Sequence, residues 1–380
     1  MTDSRLKVLM TADAVGGVWN YSLELARALA AHNVEFLIAT MGRLPTDAQR
    51  QEAAAIPNVR LCESEYKLEW MVDPWDEVDA AGEWLLHLER HFQPNLVHLN
   101  GYVHAAISWS VPKVIAAHSC VLSWWRAVKG GPAPDDEWGI YAQRVSQGLR
   151  AADFVVAPSR AMLASIQELY PPFTGAVAAI PNGRAPSAFY CGRKHPFIFC
   201  AGRLWDEGKN LRAVQRVASH VSWPVYSAGE SLLPGDDSGL ARQDENYRCL
   251  GPLDSTQIAL WLSTAAIYCS LPRYEPFGLA ILEAALSGCA LVLGDIPSLR
   301  EIWDGAAVFV PLDDEDRLVR ALRSLIVNPS LRKELAEKAR LRSLHFTPEK
   351  MARAYLGVYR SILAPRSSTS SMLEVPSCVS

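Results

Sequence analysis

Apolar and polar positions follow two rhythms along the chain, and the rhythms take turns. "LKVLMTAD" is a short β-rich run, "VWNYSLELARALAAH" repeats its apolar residues at helical spacing, and "VEFLIATM" is strand-like again. Together they predict a βαβ unit, with the Gly16–Gly17 pair of "ADAVGGV" between first strand and helix. "NLVHLNGY", "KVIAAHS", "DFVVAPS" and "GAVAAIPNG" continue as strands, each ending in a turn or a cluster of small residues. The pattern restarts at "PFIFCAG", passes through the helical "NLRAVQRVASHV", and goes on through "WPVYSAGE", "YRCLGPL", "AAIYCSL", "CALVLGD" and "AAVFVPLD". Strands alternating with amphipathic helices predict parallel sheets covered on both faces. Two consecutive series predict two doubly wound domains, residues 1–184 and 185–347, that meet in the turn-rich "NGRAPSAFYCGR" from Asn182 to Arg193. "NPSLRKELAEKARLRSL" and "PEKMARAYLGVYRSIL" close the chain as helices, the second covering 348–364, and the polar residues 365–380 predict a disordered tail.

Length and composition narrow the function classes. A chain of 380 residues is too long for one small core, so two domains are the default. A net charge of −4 and a pI near 6.2 give no support for nucleic acid as a partner. Residues 1–185 hold 20 acidic and 15 basic residues and the remainder 21 and 22, so neither half is a basic block that would dock on anionic lipid. The eight cysteines form no CxxC pair, and most lie in apolar runs such as "FIFCAG". They predict reduced, buried thiols in a cytosolic protein rather than a disulfide frame or a zinc site. "MTDSRLKVLM" leads straight into a strand, and no apolar run reaches about 18 residues, so neither export nor a transmembrane segment is expected. The expected location is cytoplasmic, with attachment to the membrane periphery left open.

"RYEPFGLAILEAALSG", Arg273 to Gly288, begins as a loop and ends as a buried helix. Pro276 and Gly278 keep its start out of helix, the helix is predicted from Leu279 through Ser287, and Gly288 ends it. The backbone N–H groups of Phe277, Gly278 and Leu279 then lie free at a helix N-terminus, after a parallel strand, where anions bind. Glu275 in the loop and Glu283 inside the apolar helix flank that anion site, an arrangement suited to a ligand with both phosphates and hydroxyls. A solvated loop carboxylate and a helix-surface charge are the plain alternative, against which the apolar surroundings of Glu283 weigh.

"CAGRLWDEGKNLRAV" places Arg203 and Lys209 after a second strand, two cations that would neutralise a diphosphate, with Asn210 as a helix cap; a solvated charged loop is the other reading. Gly16 and Gly17 permit close backbone approach but lack GxGxxG spacing, so a dinucleotide fingerprint is not supported. His118 in "VIAAHSC" ends an apolar strand, as a cleft residue or as a hydrogen-bonded structural one. "SWWRAVKGG" brings Trp124, Trp125, Arg126 and Lys129 together, either as a surface for a sugar or flat aglycone or as core tryptophans under a loop. The acidic runs at Asp313–Asp316 and Asp135–Trp138 are explained by helix capping and dipole complementarity, and His98 and His104 have no spacing that fixes a metal.

Taken in order, these residues resemble the retaining glycosyltransferases of the GT-B fold, family 4 in particular. The stretch with Glu275 and Glu283 is similar to the glutamate–seven–glutamate motif. "CAGRLWDEGKN" is similar to the glycine–arginine…lysine element, one residue longer than its commonest form. "GGV", "AHS", "VVAPSRAM" and "IPNG" fall in the family's order. The resemblance implies two facing Rossmann-like domains with the site between them and a C-terminal helix crossing back to the first. It implies a nucleotide diphosphate sugar, UDP- or GDP-linked, as co-substrate, with a hexose passed to a hydroxyl of a small-molecule, saccharide or lipid-linked acceptor. No further cofactor and no metal are implied.

In that picture Glu275 contacts the transferred sugar and Glu283 the ribose. The Pro276–Phe277–Gly278–Leu279 backbone holds the diphosphate or sugar, and Arg203 and Lys209 stabilise the leaving diphosphate. Gly16 and Gly17 approach from the other domain, and His118 lines the sugar site. The Trp124–Lys129 cluster stands on the acceptor side. A sugar-nucleotide epimerase or a phosphorylase on the same fold, and a catalytically silent nucleotide-sugar-binding module, remain the alternatives.

Overall fold

The computed structural model describes residues 5–230 and 245–364. Residue 378, a cysteine, and the predicted tail from 365 onward lie outside the described residues.

The first half forms a seven-stranded parallel sheet in the order β3-β2-β1-β4-β5-β6-β7. Its strands are β1 (Leu6–Asp13), β2 (Val34–Met41), β3 (Val59–Glu63), β4 (Leu96–Leu99), β5 (Lys113–Ala116), β6 (Phe154–Ala157) and β7 (Ala176–Ala179). Helices α1 (Gly17–Leu29), α2 (Asp47–Ala54), α3 (Trp75–Phe92), α4 (Val121–Lys129), α5 (Asp135–Ala151) and α6 (Arg160–Leu169) make the crossovers. The second half repeats the plan with six strands in the order β10-β9-β8-β11-β12-β13. These are β8 (His195–Ala201), β9 (Val225–Ala228), β10 (Tyr247–Cys249), β11 (Ala265–Ser270), β12 (Ala290–Gly294) and β13 (Val308–Val310). Helices α7 (Leu211–Val217), α8 (Ser255–Thr264), α9 (Leu279–Leu286), α10 (Pro297–Trp303), α11 (Glu315–Val327) and α12 (Pro329–Ser343) cover that sheet.

Each sheet separates two apolar layers, because successive strand residues point to opposite faces. In β1, Val8 and Met10 join the layer beneath α1, whereas Leu9 joins the layer beneath α3 and α5. In the second sheet Phe199 and Tyr268 belong to the α9 side, and Ile198 and Ile267 to the α7 and α11 side. Both sheets are therefore buried on both faces, which is why their strands are near-continuous apolar runs. β3, an edge strand absent from the expected set, is half-exposed and lacks such a run.

The last helix, α13 (Pro348–Leu363), leaves the second sheet and packs on α1. Met351, Ala352, Tyr355 and Tyr359 are buried there beside Trp19 and Tyr21. The His98 ring joins the two, with Nε2 3.2 Å from the Tyr21 hydroxyl and Nδ1 2.6 Å from that of Tyr359. Burial lowers His98 to about 3, so the ring is a neutral strut. His104 is likewise structural, its Nε2 2.9 Å from the Val78 carbonyl.

Chain order in both sheets reverses beside the first strand, between β1 and β4 and between β8 and β11. Crevices open at such points, outside the carboxyl ends of the strands. The two crevices face one another. The Ser159 hydroxyl donates to the Pro276 carbonyl at 2.6 Å, and the Cys120 amide donates to the Tyr274 hydroxyl at 3.0 Å.

Candidate active site

The second sheet supplies most of the charged groups. β8 ends at Ala201, and the loop that follows is folded by Asp206, whose carboxylate accepts from the Gly208 amide at 2.9 Å and from Arg203 at 2.8 Å. The Arg203 guanidinium also lies 4.8 Å from the centre of the Trp205 ring. Lys209 closes the loop and reaches Glu275 Oε2 at 2.7 Å, across from the end of the neighbouring strand β11. Asn210 occupies the N-cap position of α7 in left-handed conformation, but its side chain makes no cap. Its amide instead donates to the Leu271 carbonyl at 3.0 Å and pins this loop to the one carrying Glu275.

Helix α9 begins at Leu279 and ends at Leu286, with Ser287 as its C-cap and Gly288 left-handed beyond it. Gly278 is its N-cap at φ 90° and offers no side chain. The amides of Phe277, Gly278 and Leu279 donate to no described residue. A cleft of ≈ 230 Å³ runs along this edge, lined by Gly202, Lys209, Tyr268, Glu275, Ala280 and Glu283 among others. The Tyr268 hydroxyl on its floor has no partner among the described residues. Of the expected residues, Lys209, Glu275 and Glu283 line this cleft with Ala280 and Ile281 of the first turn of α9, whereas Arg203 and the Pro276–Phe277–Gly278–Leu279 backbone adjoin it in the chain and are not part of its lining.

Glu283 is buried, and that burial raises its carboxyl above the ordinary range while Arg184 draws it back. Arg184 Nε lies 2.9 Å from Glu283 Oε1, and its Nη1 reaches Glu24 of α1 at 3.0 Å.

The first sheet supplies the facing wall. Gly16 is the N-cap of α1 at φ 82°, and Gly17 opens the helix. A Cβ on Gly17 would lie 3.4 Å from Leu279 Cδ1, so the two helix starts meet directly. Asp13, at the end of β1, accepts from the Val15 amide at 2.9 Å. Burial raises its carboxyl to about 6, with the Val15 bond and the Arg203 charge opposing.

His118 lies two residues beyond β5 and is held rather than free. Its Nε2 is 2.9 Å from Asn100 Oδ1. The Asn100 amide nitrogen is committed to the Thr11 carbonyl at 2.6 Å, so Oδ1 accepts and Nε2 carries the proton. Burial lowers His118 to about 4, leaving a neutral ring.

The cluster on α4 is divided. Arg126 turns to Glu168 of α6 at 2.6 Å. Lys129 pairs with Glu207 at 2.7 Å, and Trp124 Nε1 would lie 2.6 Å from a Cβ on Gly208, so these two bridge to the Arg203–Lys209 loop. Trp125 packs between Trp124 and Trp138. An open aromatic platform is therefore not formed, because α4 is recruited to join the halves.

Two further expectations change. Asp314 caps α11 through the Arg317 amide, but α5 is capped by Pro134, and Asp135, Asp136 and Glu137 serve only its dipole. Among the described cysteines Cys191 is exposed and Cys62 and Cys249 are half-buried, and the other four are buried. Among the described residues no group of three or more His, Cys, Asp and Glu gathers as a metal cluster, and no helix is long and apolar enough to cross a membrane.

Asp13, Glu24, Asn100 and Arg184 were not anticipated. Glu24 carried a usable signal, a carboxylate within the apolar "LELARAL", the same signal that marks Glu283. Asp13 and Asn100 stand at strand ends, where ligands of open sheets bind.

"Glycosyltransferase Family 4" matches residues 15–187, and "Glycosyl transferases group 1" matches residues 240–342. A glycogen synthase of Mycobacterium tuberculosis is 26% identical over 86% of each chain. A D-inositol 3-phosphate glycosyltransferase of Streptomyces scabiei is 26% identical over 93% of this chain and 88% of its own. Among solved structures, the sucrose-phosphate synthase of Thermosynechococcus elongatus superposes with a TM-score of 0.79 at 17% identity, covering 94% of this chain and 99% of that one. HepE of Anabaena, solved with UDP-glucose, gives 0.72 at 14% identity, covering 94% and 100%. One match falls in each half of the chain, and the chain belongs to the GT-B glycosyltransferases of the family 4 and group 1 type.

Proposed function

We propose that the protein is a retaining hexosyltransferase that moves the sugar of a UDP- or GDP-linked donor to an acceptor hydroxyl, in the synthesis of a saccharide or glycoconjugate. One observation carries the reading: Lys209, Glu275 and the uncapped start of α9 share a wall of one cleft, and Gly17 closes on that start from the other sheet. The α9 amides and dipole suit the diphosphate. Arg203 and Lys209 stabilise the charge that grows on it as the sugar leaves, an electrostatic role worth several kcal/mol when water is excluded. On donor binding Lys209 turns from Glu275 to the phosphates, which frees Glu275 to accept from sugar hydroxyls. The neutral His118 lines the sugar site with Nδ1 as an acceptor. Asp13 is the carboxylate of the facing wall and is tied to the Val15 amide; the course we favour is retention by substitution on the leaving-group face, with the departing phosphate as base.

Thermal-shift screening of UDP, GDP and their hexose conjugates tests the donor. A rise in melting temperature with a nucleotide sugar, followed by acceptor-dependent release of nucleoside diphosphate and an anomeric proton of unchanged configuration, is expected. If no nucleotide sugar shifts the transition and none is consumed, the proposal is wrong.

A further inference from the structure

Glu24 of α1, Arg184 of the segment between the sheets and Glu283 of α9 come from three separate parts of the chain. They meet as one buried ion-pair triad, with side chains 7%, 12% and 12% exposed. The guanidinium offers different nitrogens to the two acids, Nε to Glu283 at 2.9 Å and Nη1 to Glu24 at 3.0 Å. It is anchored from behind. The Arg184 amide donates to the Phe346 carbonyl at 3.1 Å, and the guanidinium lies 5.4 Å from the centre of the Phe189 ring. Gly183 leaves no room for a side chain against Thr347, so the segment is clamped to the approach to α13.

Glu24 also meets the half-exposed Arg27 at 3.8 Å, so Arg184 is the one cation of the group that touches Glu283, the acid that lines the cleft. Arg184 Nε pairs with Glu283 Oε1 at 2.9 Å, at the edge of the cleft that Glu283 lines. Without Arg184, Glu24 would keep Arg27, but Glu283 would stand out of water beside a like charge with no cation of its own, which favours its taking up a proton. A protonated Glu283 would be a weaker acceptor for hydroxyl groups, and nothing would fix its direction.

We infer that Arg184 is a positioning residue. It holds Glu283 charged and aimed so that the nucleotide ribose is gripped, and through Glu24 it ties that grip to the seating of α1 against the second sheet. The inference rests on the donor reading given above. It assigns no direct contact between Arg184 and the ligand.

The test is a ratio of affinities. Calorimetry would compare UDP with 2′,3′-dideoxy-UDP, and GDP with 2′,3′-dideoxy-GDP, on the full chain. The wild type is expected to prefer the ribonucleotide by about tenfold or more. Arg184→Met should cut that preference to about twofold, and Arg184→Lys, which keeps the charge but loses the fork, should leave it in between. Glu283→Gln should match Arg184→Met, and the double variant should lose no more, as for residues acting through one another. A purely structural role would weaken both nucleotides equally and leave the ratio at the wild-type value. That result in Arg184→Met, or in Arg184→Lys should Arg184→Met not fold, overturns the inference and leaves the donor reading standing. Wild-type binding without ribose preference does the same, whereas no binding of either ribonucleotide overturns both.

Discussion

Two helix starts face each other across the cleft, and they are built alike. Both α1 and α9 have a glycine N-cap at positive φ, 82° for Gly16 and 90° for Gly278. Neither has a side-chain cap or an acid in its first turn. Thr46, Ser159, Asp254, Asp314, Asn328 and Thr347 cap their helices with a side chain, and α3, α4, α5, α7 and α10 lack such a cap, but among the described α-helices only α1 and α9 join that lack to a glycine N-cap at positive φ. Free amides at a helix start have a cost unless water or a ligand satisfies them, so two uncapped starts in one cleft mark where a ligand belongs. Their surroundings differ. The α9 start has Lys209, Arg203 and Glu275 beside it, whereas the α1 start has Asp13 and the neutral His118. The first arrangement suits holding an anion. The second suits closing over one without competing for it.

The largest effect should follow from removing that difference. Lys209→Ala deletes a cation from the α9 wall and should lower kcat by about 10²–10³-fold, the range for losing one preorganised electrostatic group. Arg203→Ala and Glu275→Gln should also lower it strongly. Melting temperatures should change little, because the Arg203 and Lys209 side chains are partly exposed and Glu275→Gln keeps the shape of the more buried acid. Initial-rate kinetics beside thermal melts check it, and full activity in Lys209→Ala would show that the two walls do not differ in the way argued here.

Next come the glycines. Gly17 meets Leu279 with just enough room for a methyl group, so Gly17→Val should push the walls apart and raise the donor KM by about tenfold with a smaller change in stability. Gly16→Ala is the counterpart. Nothing lies within 4 Å of its Cβ, but its φ of 82° makes any side chain strained. It should therefore cost about 1 kcal/mol of stability and leave the donor KM nearly unchanged. Steady-state kinetics and melting curves on the pair would separate close approach from backbone strain. Equal KM values in the two variants would remove the case for α1 as a cover.

Asp13 adds a pH dependence to the α1 wall. Its folded carboxyl titrates at about 6, above the ordinary 3.8. Between those values the folded state binds more protons than the unfolded, so stability falls as pH rises through that window and is level above it. Asp13→Asn should remove the fall. Its melting temperature should match the wild type near pH 3.5 and exceed it by a few degrees above pH 6.5. A gain of the same size at both ends of the range would mean that ionisation is not the cause.

The fold was legible because both sheets are buried on both faces. "LKVLMTAD", "PFIFCAG" and "AAIYCSL" are continuous apolar runs that only a covered parallel strand explains. β3 escaped because an edge strand pays less hydrophobic toll and shows neither a full run nor a clean alternation. In the candidate site, the residues that share a short stretch were visible, as with Glu275, Gly278 and Glu283. Those that act by long-range contact were not. Glu24 and Arg184 are 160 residues apart and show nothing by spacing until the chain folds. The packing of the α4 cluster was hidden for the same reason, since Trp124 and Lys129 read as a local group until the loop around Gly208 arrives against them.

A third helix start shows what an occupied one looks like. The first amides of α6 receive the Glu301 carboxylate of α10, Arg160 N and Ala161 N each at 2.9 Å from its two oxygens. An acid from the second sheet thus sits on a helix start of the first, in the way a phosphate would sit on α9. The contact is partly exposed and shared with the Ser159 cap, so its loss should be modest. Glu301→Gln keeps the shape and removes the charge, and should cost about 0.5–1 kcal/mol, or about 2 °C in melting temperature. Because this contact also joins the two halves, the donor KM should rise, but by less than about threefold. Titrating salt separates the two parts: the stability difference between wild type and variant should shrink by about half between 0.05 and 0.5 M, as for any partly screened charge. A difference that ignores salt would mean that shape, not charge, seats the side chain on α6, and would weaken the analogy on which the anion site at α9 is argued.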